Sequence, residues 1–453
     1  MVDELDRVHA GDFWSTKGSS EDYIPNFVTA ENGQERHFTR KAREAITQLT
    51  NTLHVNRLPG SLRVELDIYT TLVRQAVADL HADGEFSGLS EQEDNSASVR
   101  LKQLVEERLT KLVKEYTHYF PAWTLGMEKE KPFIIGPVTF MSRSDWIDSV
   151  DFPQNLKDRF LNETEANNRW KEILKEGLNR SHDASALIGL AEIIYGVIDK
   201  CPAILKVTIR GYEQDLSKKL AKLTCKTALD AVSLGFGAPE HFHQQALYEE
   251  RLPPVGSDSL IETNGLLWLP GFVLGKRISF LSSQQVSEAL DGMGNILSAF
   301  ASALDGLVEP HSHSHPKLAS RWATALDWFS EGNRESSDAV ALAKLGTCLD
   351  VLACGGKNVG IREMVIHLTG VSGSEQVIQG TRPRTLEQLV KDIYDHGRSK
   401  ILHGTHHDRL ESFANERRQA ASLARIALIE CAVRLQGYSG VDEDKAFRTM
   451  PAV

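Results

Sequence analysis

Apolar residues recur every three to four positions through most of this chain, a spacing typical of amphipathic helices. In the first part of the chain the pattern is clear over residues 38–53, 62–80 and 99–119. A turn-rich, acidic stretch at 84–98 is predicted to be a loop. Helical spacing returns over residues 156–178, 184–231 and 284–307. The sequence therefore predicts a mainly α fold.

Two short segments interrupt the helical pattern. Residues 132–141 are rich in β-branched and aromatic side chains around a Gly-Pro dipeptide, which indicates one or two brief strands. At 259–281, short apolar runs flank Asn264-Gly265, a dipeptide that is strongly favoured in hairpin turns. We expect a small β hairpin or meander there, followed by a further short run at 272–274.

Breaks in the pattern divide the chain into predicted parts. Residues 1–33 are polar and aperiodic and are expected to form an irregular arm. Residues 34–308 are expected to form a helical sensing or regulatory domain that contains the small β element. The run 311–316, His-Ser-His-Ser-His-Pro, is interpreted as a linker. Residues 316–440 carry apolar stripes at helical spacing and predict a compact helical bundle, followed by a tail at 441–453.

Composition narrows the class of protein. The chain has 453 residues, 41% hydrophobic and 25% charged, which is typical of a soluble globular protein with material for two or three domains. No apolar run approaches the roughly 18 residues that a membrane helix needs. The polar start at 1–7 is unlike a secretion signal. Five cysteines at wide spacing, without a C-x-x-C motif, favour a reducing compartment, so a cytoplasmic location is expected.

One segment is basic within this acidic chain. The formal net charge is −11, yet residues 381–434 hold ten Lys/Arg against seven Asp/Glu, a local excess of three positive charges. Arg398 and His403 lie five residues apart in this segment. An imidazole can transfer a proton near neutral pH, and a guanidinium can hold a phosphate by two parallel hydrogen bonds. Further donors that could bind RNA follow the pair: Lys400, His406, His407 and Arg409.

The Arg/His spacing alone is common. Two other pairs with similar spacing occur in the chain, Arg74/His81 and Arg362/His367. Any one such pair is more often a surface arginine near a hydrogen-bonded histidine than a catalytic site.

The surroundings of Arg398 and His403 set this pair apart. On a helical wheel at about 100° per residue, both fall on the polar face, about 140° from each other. The opposite face carries an apolar stripe, made of Leu386, Leu389, Ile393, Gly397 and Ile401. Gly404 is expected to end the helix and to leave the His403 ring accessible.

This C-terminal segment resembles the HEPN superfamily, and most closely its Apea-like branch, over about residues 316–440. The resemblance rests on a motif made of Tyr394, Arg398, His403 and Gly404. Residues 321–329 look like the opening helix of the family. Residues 345–352 look like its second helix, with Asp350 where an acid is usual. Ser399 departs from the Asn, Asp or His that often follows the arginine in the family.

The resemblance implies a metal-independent endoribonuclease that forms a homodimer and serves in prokaryotic antiviral defence or as a toxin. Two Arg/His pairs would share one cleft. The RNA 2′-hydroxyl would attack its own phosphate, with His403 as general base and the partner subunit's His403 as general acid. Arg398 would stabilise the charge on the phosphorane. Supporting roles fall to Ser399, Lys400, Asp350 and Tyr394.

Two other functions remain open. The chain could be a non-catalytic adaptor whose bundle only dimerises or binds RNA. Alternatively, it could be a toxin that is inert alone and acts only with a partner protein. In the favoured interpretation, the nuclease is held silent until a trigger binds the N-terminal domain. No cofactor is predicted, because the sequence has no phosphate-binding loop, dinucleotide fingerprint or nucleophile motif.

Histidines outside the basic segment offer a metal site as an alternative. His311, His313 and His315 alternate, so they could face one way in an extended chain and bind a metal, although a linker is the simpler interpretation. His241 and His243 could likewise bind a metal, although a structural role is again the simpler interpretation. Within the bundle, tryptophans 322 and 328 are interpreted as core residues.

Overall fold

The protein is described here from a computed structural model, and the fold is mainly helical with a small β element, which confirms the predicted fold class. The chain separates into two compact units, Met1–Tyr116 with Ile209–Lys219, and Thr117–Thr208 with Leu220–Val453. This division does not fall at the expected boundary between 308 and 316. The structure describes residues 1–10, 26–57, 61–86, 91–112, 114–129, 131–179, 187–251, 262–267, 281–380, 382–406, 408 and 410–452.

The first unit is a small helical assembly. Its core consists of apolar side chains that include Leu5, Ile46, Val73 and Val105. Thr39 caps helix α2 by accepting a hydrogen bond from the backbone N–H of Ala42. The elements are α1 (Val2–His9), β1 (Phe27–Thr29), β2 (Glu35–His37), α2 (Arg40–Val55), α3 (Leu66–Ala82) and α4 (Glu91–Lys111).

Two expectations for this unit differ from the structure. Where an irregular arm was expected, α1 forms a helix because Leu5 and Val8 are buried on one side of it; residues 11–25 lie outside the described part of the chain. A loop was expected over residues 84–98, but α4 begins at Glu91, so that prediction is wrong from Glu91 onward. Helix α4 also ends earlier than the expected 99–119.

The second unit contains a five-stranded sheet within its described residues, in the order β4-β5-β6-β3-β7. Strands β4, β5 and β6 pair antiparallel, with Phe140 opposite Leu205. The two strands at 132–141 confirm the predicted brief strands. The helix expected over 184–231 is wrong at β6, where side chains alternate between buried and less buried. The strands are β3 (Glu115–Trp123), β4 (Phe133–Ile135), β5 (Val138–Ser142), β6 (Ala203–Arg210) and β7 (Ala246–Leu247).

Short helices cover this sheet. Trp146, Trp170 and Leu190 form a buried cluster with Ile204 of β6. A second β feature is the hairpin at Asn264-Gly265, where both residues have positive φ, 54° and 78°. This confirms the predicted hairpin; residues 272–274 lie outside the described residues. The elements are α5 (Arg143–Ser149), α6 (Gln154–Arg159), α7 (Thr164–Asn168), α8 (Trp170–Asn179), α9 (Gly189–Ile198), α10 (Gln214–Phe236), α11 (His241–Gln244), β8 (Glu262–Thr263) and β9 (Leu266–Leu267).

A helical bundle completes the second unit. Trp322 is fully buried at its centre, where its indole N–H donates to the Leu428 carbonyl at 2.9 Å and its ring lies 5.3 Å from that of Phe300. Trp328, expected in the core, is 39% exposed, so that prediction is wrong. The elements are α12 (Ser283–Gly292), α13 (Gly294–Val308), α14 (Pro316–Arg334), α15 (Asp338–Leu352), α16 (Lys357–Thr369), β10 (Gln376–Ile378), β11 (Arg384–Thr385), α17 (Leu386–Lys391), a π-helix (Asp392–Ser399), α18 (Lys400–Leu402) and α19 (Ala414–Gly437).

The C-terminal segment is packed against the bundle, which differs from the expected tail at 441–453. The Asp442 carboxylate accepts hydrogen bonds from the first two free N–H groups at the start of α14, those of Lys317 and Leu318, at 3.0 Å each. The side chains of Phe447 and Met450 are buried. The segment from Asp442 to Met450 therefore belongs to the fold.

The histidines at 311–315 form a turn between α13 and α14. His315 is buried, and its Nε2 lies 2.8 Å from the Gly440 carbonyl oxygen. Among the described residues, no group of three or more His, Cys, Asp or Glu side chains is placed to hold a metal ion. Over the same residues, no single helix has the length and apolar composition to cross a membrane, although α15 and α16, bent by 70°, meet both criteria as a pair.

Candidate functional site

The helix that carries the Arg/His pair changes its hydrogen-bond pattern along its length. It begins as α-helix, becomes a π-helix over Asp392–Ser399, and returns to α-helix at Lys400–Leu402. A π-helix closes i→i+5 hydrogen bonds, so side chains after it are rotated from the positions that a regular α-helix would give them. Such turns recur at functional sites.

The predicted apolar stripe on this helix is buried at four of its five positions. Leu386, Leu389, Ile393 and Gly397 face the bundle, whereas Ile401 is half-buried. The prediction is therefore confirmed up to Gly397. A Cβ at Gly397 would lie 2.8 Å from the Leu342 side chain, so glycine allows this helix to approach α15 closely.

Arg398 lies against α15, held by two side chains. Its Nη1 donates to the Tyr394 hydroxyl at 3.1 Å, and its Nη2 lies 3.2 Å from Oδ2 of Asp350. The guanidinium carbon is also 5.1 Å from the centre of the Tyr394 ring, within the range of a cation–π contact. One quarter of the Arg398 side chain remains exposed (25%). Arg398, Tyr394 and Asp350 are called the arginine cluster below.

This position corrects the helical-wheel prediction, which placed Arg398 on the polar face. A Cβ at Gly346 of α15 would lie only 2.9 Å from the Arg398 Cβ. The physical reason is the π-helix, because the wheel assumes about 100° per residue throughout. Gly346 was missed by the sequence analysis; a glycine inside a helical pattern was the available signal of close approach.

The arginine cluster is only partly satisfied in its hydrogen bonding. Burial raises the pKa of Asp350 above its ordinary value, and the charges of Arg398 and Arg448 oppose that shift. Asp350 Oδ1 and Arg398 Nε are both buried, and neither has a hydrogen-bond partner among the described residues. An unpaired buried polar atom costs about 1–3 kcal/mol, so such atoms call for a functional explanation.

His403 ends the helix and is exposed, as predicted. The Gly404 N–H donates to the Ile401 carbonyl at 3.1 Å, the Thr405 N–H donates to the Lys400 carbonyl at 3.0 Å, and Gly404 has a φ of 65°. This is a Schellman motif, which glycine favours. Among the described residues, the His403 ring makes no hydrogen bond or ion pair. In the described part of the chain, therefore, no hydrogen bond or ion pair joins His403 to the arginine cluster.

The other proposed RNA-binding residues are less clearly placed. His406 is held by its own loop, since its Nε2 bonds the Asp408 carbonyl and its ring packs 4.9 Å from that of Phe413. Lys400 is exposed and Ser399 is half-buried. His407 and Arg409 lie outside the described residues.

The two other Arg/His pairs have structural contacts. His81 accepts a hydrogen bond at Nδ1 from Arg36 at 2.8 Å, and its Nε2 lies 3.0 Å from the Asp6 carboxylate. His367 bonds the Met450 carbonyl at 2.6 Å through Nε2. Both rings therefore have partners within the chain, in contrast to His403.

Comparison with protein-family models, curated proteins and solved structures gives no match for this chain. Its class is accordingly defined by the fold and the site alone. It is a mainly α protein whose C-terminal bundle presents the arginine cluster and, five residues further along the same helix, an exposed histidine.

Proposed function

We propose that this chain is a metal-independent endoribonuclease of HEPN type, with Arg398 and His403 as its catalytic residues. One observation carries the proposal. A guanidinium oriented by two side chains and an accessible imidazole lie on one helix, and neither ring nitrogen of that imidazole is engaged by another residue that the structure describes. A proton-transfer group and a fixed cation are the two elements that phosphodiester transesterification needs.

In this mechanism His403 takes the proton from the RNA 2′-hydroxyl as that oxygen attacks the adjacent phosphorus. The bond from phosphorus to the 5′-oxygen breaks, which leaves a 2′,3′-cyclic phosphate and a 5′-hydroxyl. Arg398 stabilises the negative charge on the phosphorane oxygens. Five residues along a helix span about 7.5 Å, so one nucleotide can contact both side chains.

A second copy of the chain supplies the general acid in this proposal. Because His403 is the base, another proton donor must protonate the 5′-oxygen, and the partner subunit's His403 meets that need in a shared cleft. The cellular role that follows is a defence or toxin effector in the cytoplasm, silent until a trigger or partner protein binds the N-terminal part of the chain.

A non-catalytic adaptor is the second candidate, and one observation favours it. The Arg398 guanidinium is already paired with Asp350 at 3.2 Å, so a phosphate must compete with a carboxylate for it. In this alternative the bundle binds RNA or a second copy without cleaving RNA.

The test is cleavage of labelled RNA by the purified full-length protein in the presence of EDTA. The enzyme leaves cyclic-phosphate ends, and His403→Ala or Arg398→Ala lowers the rate by about 10²–10⁴-fold. His396→Ala is the matched control, because His396 is another exposed histidine on the same helix. Cleavage that survives both site substitutions contradicts the proposal. RNA binding or dimerisation without cleavage supports the adaptor.

A further inference from the structure

An open apolar groove of about 510 Å³ lies between the end of α16, strand β10, helix α17 and helix α19. Its floor is formed by Leu386, Leu389 and Leu423, which are nearly buried. Val377 and Ile426 line it as well and are 36% and 46% exposed. The groove thus presents apolar surface that nothing else in the described chain covers.

The face of α19 along this groove changes from polar to apolar. Residues three or four apart on a helix share one face, and the α19 residues that line the groove follow this spacing: Asn415, Arg418, Gln419, Ser422, Leu423 and Ile426. Asn415 to Ile426 spans about 16 Å at 1.5 Å per residue. The side of the groove formed by α19 is therefore polar toward Asn415 and apolar toward Ile426, and these are called its polar end and its apolar end.

The polar end carries a cation without an opposite charge. Arg418 is exposed and donates a hydrogen bond to the Asn415 side chain. Among the described residues it forms no ion pair. Its neighbour Arg417 differs, since it is paired with Asp338 at 3.0 Å. A ligand with one negative charge would complement this end.

We propose that the groove binds a free medium-chain carboxylate, a soluble amphiphile with its alkyl chain on Leu386, Leu389 and Leu423 and its carboxylate at Arg418. The volume lies within the about 300–1,000 Å³ of small-molecule sites. The polar-to-apolar gradient matches one charged head and one apolar tail. The carboxylate and guanidinium form a charge-assisted hydrogen bond. This inference is independent of the nuclease proposal, because it is tested without RNA.

Calorimetric titration of the full-length protein with dodecanoate below its micelle concentration tests this inference. We expect saturable binding of one dodecanoate per chain. Ile426→Glu, which places a carboxylate in the apolar end, and Arg418→Ala each weaken binding by about tenfold or more. Ile193→Glu is the matched control, because Ile193 is a similarly exposed isoleucine on α9. We expect this substitution to leave dodecanoate binding unchanged.

Dodecanol separates the head group from the chain. It lacks the charge, so it binds about tenfold more weakly than dodecanoate. Equal affinity for the two compounds, undiminished binding in both groove variants, or binding only to phospholipid vesicles would each overturn the proposal, as would no binding at all. Arg418 is exposed, so Arg418→Ala keeps the test valid if Ile426→Glu fails to fold.

Discussion

Nη2 of Arg398 lies 3.2 Å from Oδ2 of Asp350, and this ion pair joins the π-helix to α15. Burial raises the pKa of the same carboxyl, although the charge of Arg398 acts in the opposite direction. The pair therefore fixes the direction of the guanidinium but does not make the ionised form of Asp350 favourable for folding. The role of the Arg398–Asp350 ion pair is therefore to position the guanidinium.

Asp350→Asn tests this balance through the pH dependence of stability. The folded state binds the Asp350 proton more tightly than the unfolded state, because the pKa is raised from 3.8. The carboxyl's contribution to stability is thus full below the unfolded pKa and is lost as the pH rises through the folded pKa. The free energy of unfolding of Asp350→Asn, relative to wild type, should increase in urea titrations as the pH rises above 3.8, the ordinary pKa of the carboxyl. A constant or falling difference would contradict the assignment.

Gly346→Ala tests the close contact between α15 and the π-helix. The new Cβ would lie 2.9 Å from the Arg398 Cβ and 3.4 Å from the Ile393 carbonyl oxygen, so one helix must move. We expect the free energy of unfolding to fall by about 1–2 kcal/mol. Overpacking costs about 1–3 kcal/mol, and the higher helix propensity of alanine compared with glycine offsets up to about 1 kcal/mol of this. Gly196→Ala is the control: nothing lies within 4 Å of that Cβ, and it should stabilise the protein.

Trp322→Phe compares a buried tryptophan with an exposed one. The change removes the hydrogen bond from the indole to the Leu428 carbonyl and leaves a cavity in the bundle. We expect thermal or urea unfolding to show a loss of about 2–4 kcal/mol. Trp328→Phe, at a 39% exposed position, should change stability by less than about 0.5 kcal/mol. If the two substitutions lower the free energy of unfolding equally, Trp322 is not at the core of the bundle.

Phe447→Ala tests whether the C-terminal segment belongs to the fold. The side chain is fully buried, so its removal should cost about 3–5 kcal/mol in equilibrium unfolding. The exposed residue Val441 provides the comparison, and Val441→Ala should have little effect. If Phe447→Ala is as stable as Val441→Ala, the segment is only loosely attached.

Local features of the sequence were sufficient for part of this fold and site. Spacing of three and four positions predicted that Leu386, Leu389, Ile393 and Gly397 would be buried, because one face of a helix must leave water. Asn264-Gly265 predicted a hairpin, and Gly404 predicted a helix end. In each case a few adjacent residues determine the backbone conformation.

Other features depended on partners distant in sequence. Strand β6 pairs with β5, about 65 residues earlier in the chain. The alternation of Leu205, Val207 and Ile209 with polar residues is a local strand signal that the helical prediction over 184–231 missed, but it does not identify the partner strand. The docking of residues 442–450 likewise needs the free N–H groups at the start of α14. Contacts of this kind leave no local signal.

The candidate site also combines features set by local sequence with features set by tertiary contacts. The sequence by itself determined that an arginine and a histidine follow one another on a helix that ends at Gly404, since residue type and helix termination are local properties. The tertiary structure decided which way the arginine points. A π-helix and two close-packed glycines turn Arg398 toward Asp350, because packing against α15 outweighs the regular α-helical register.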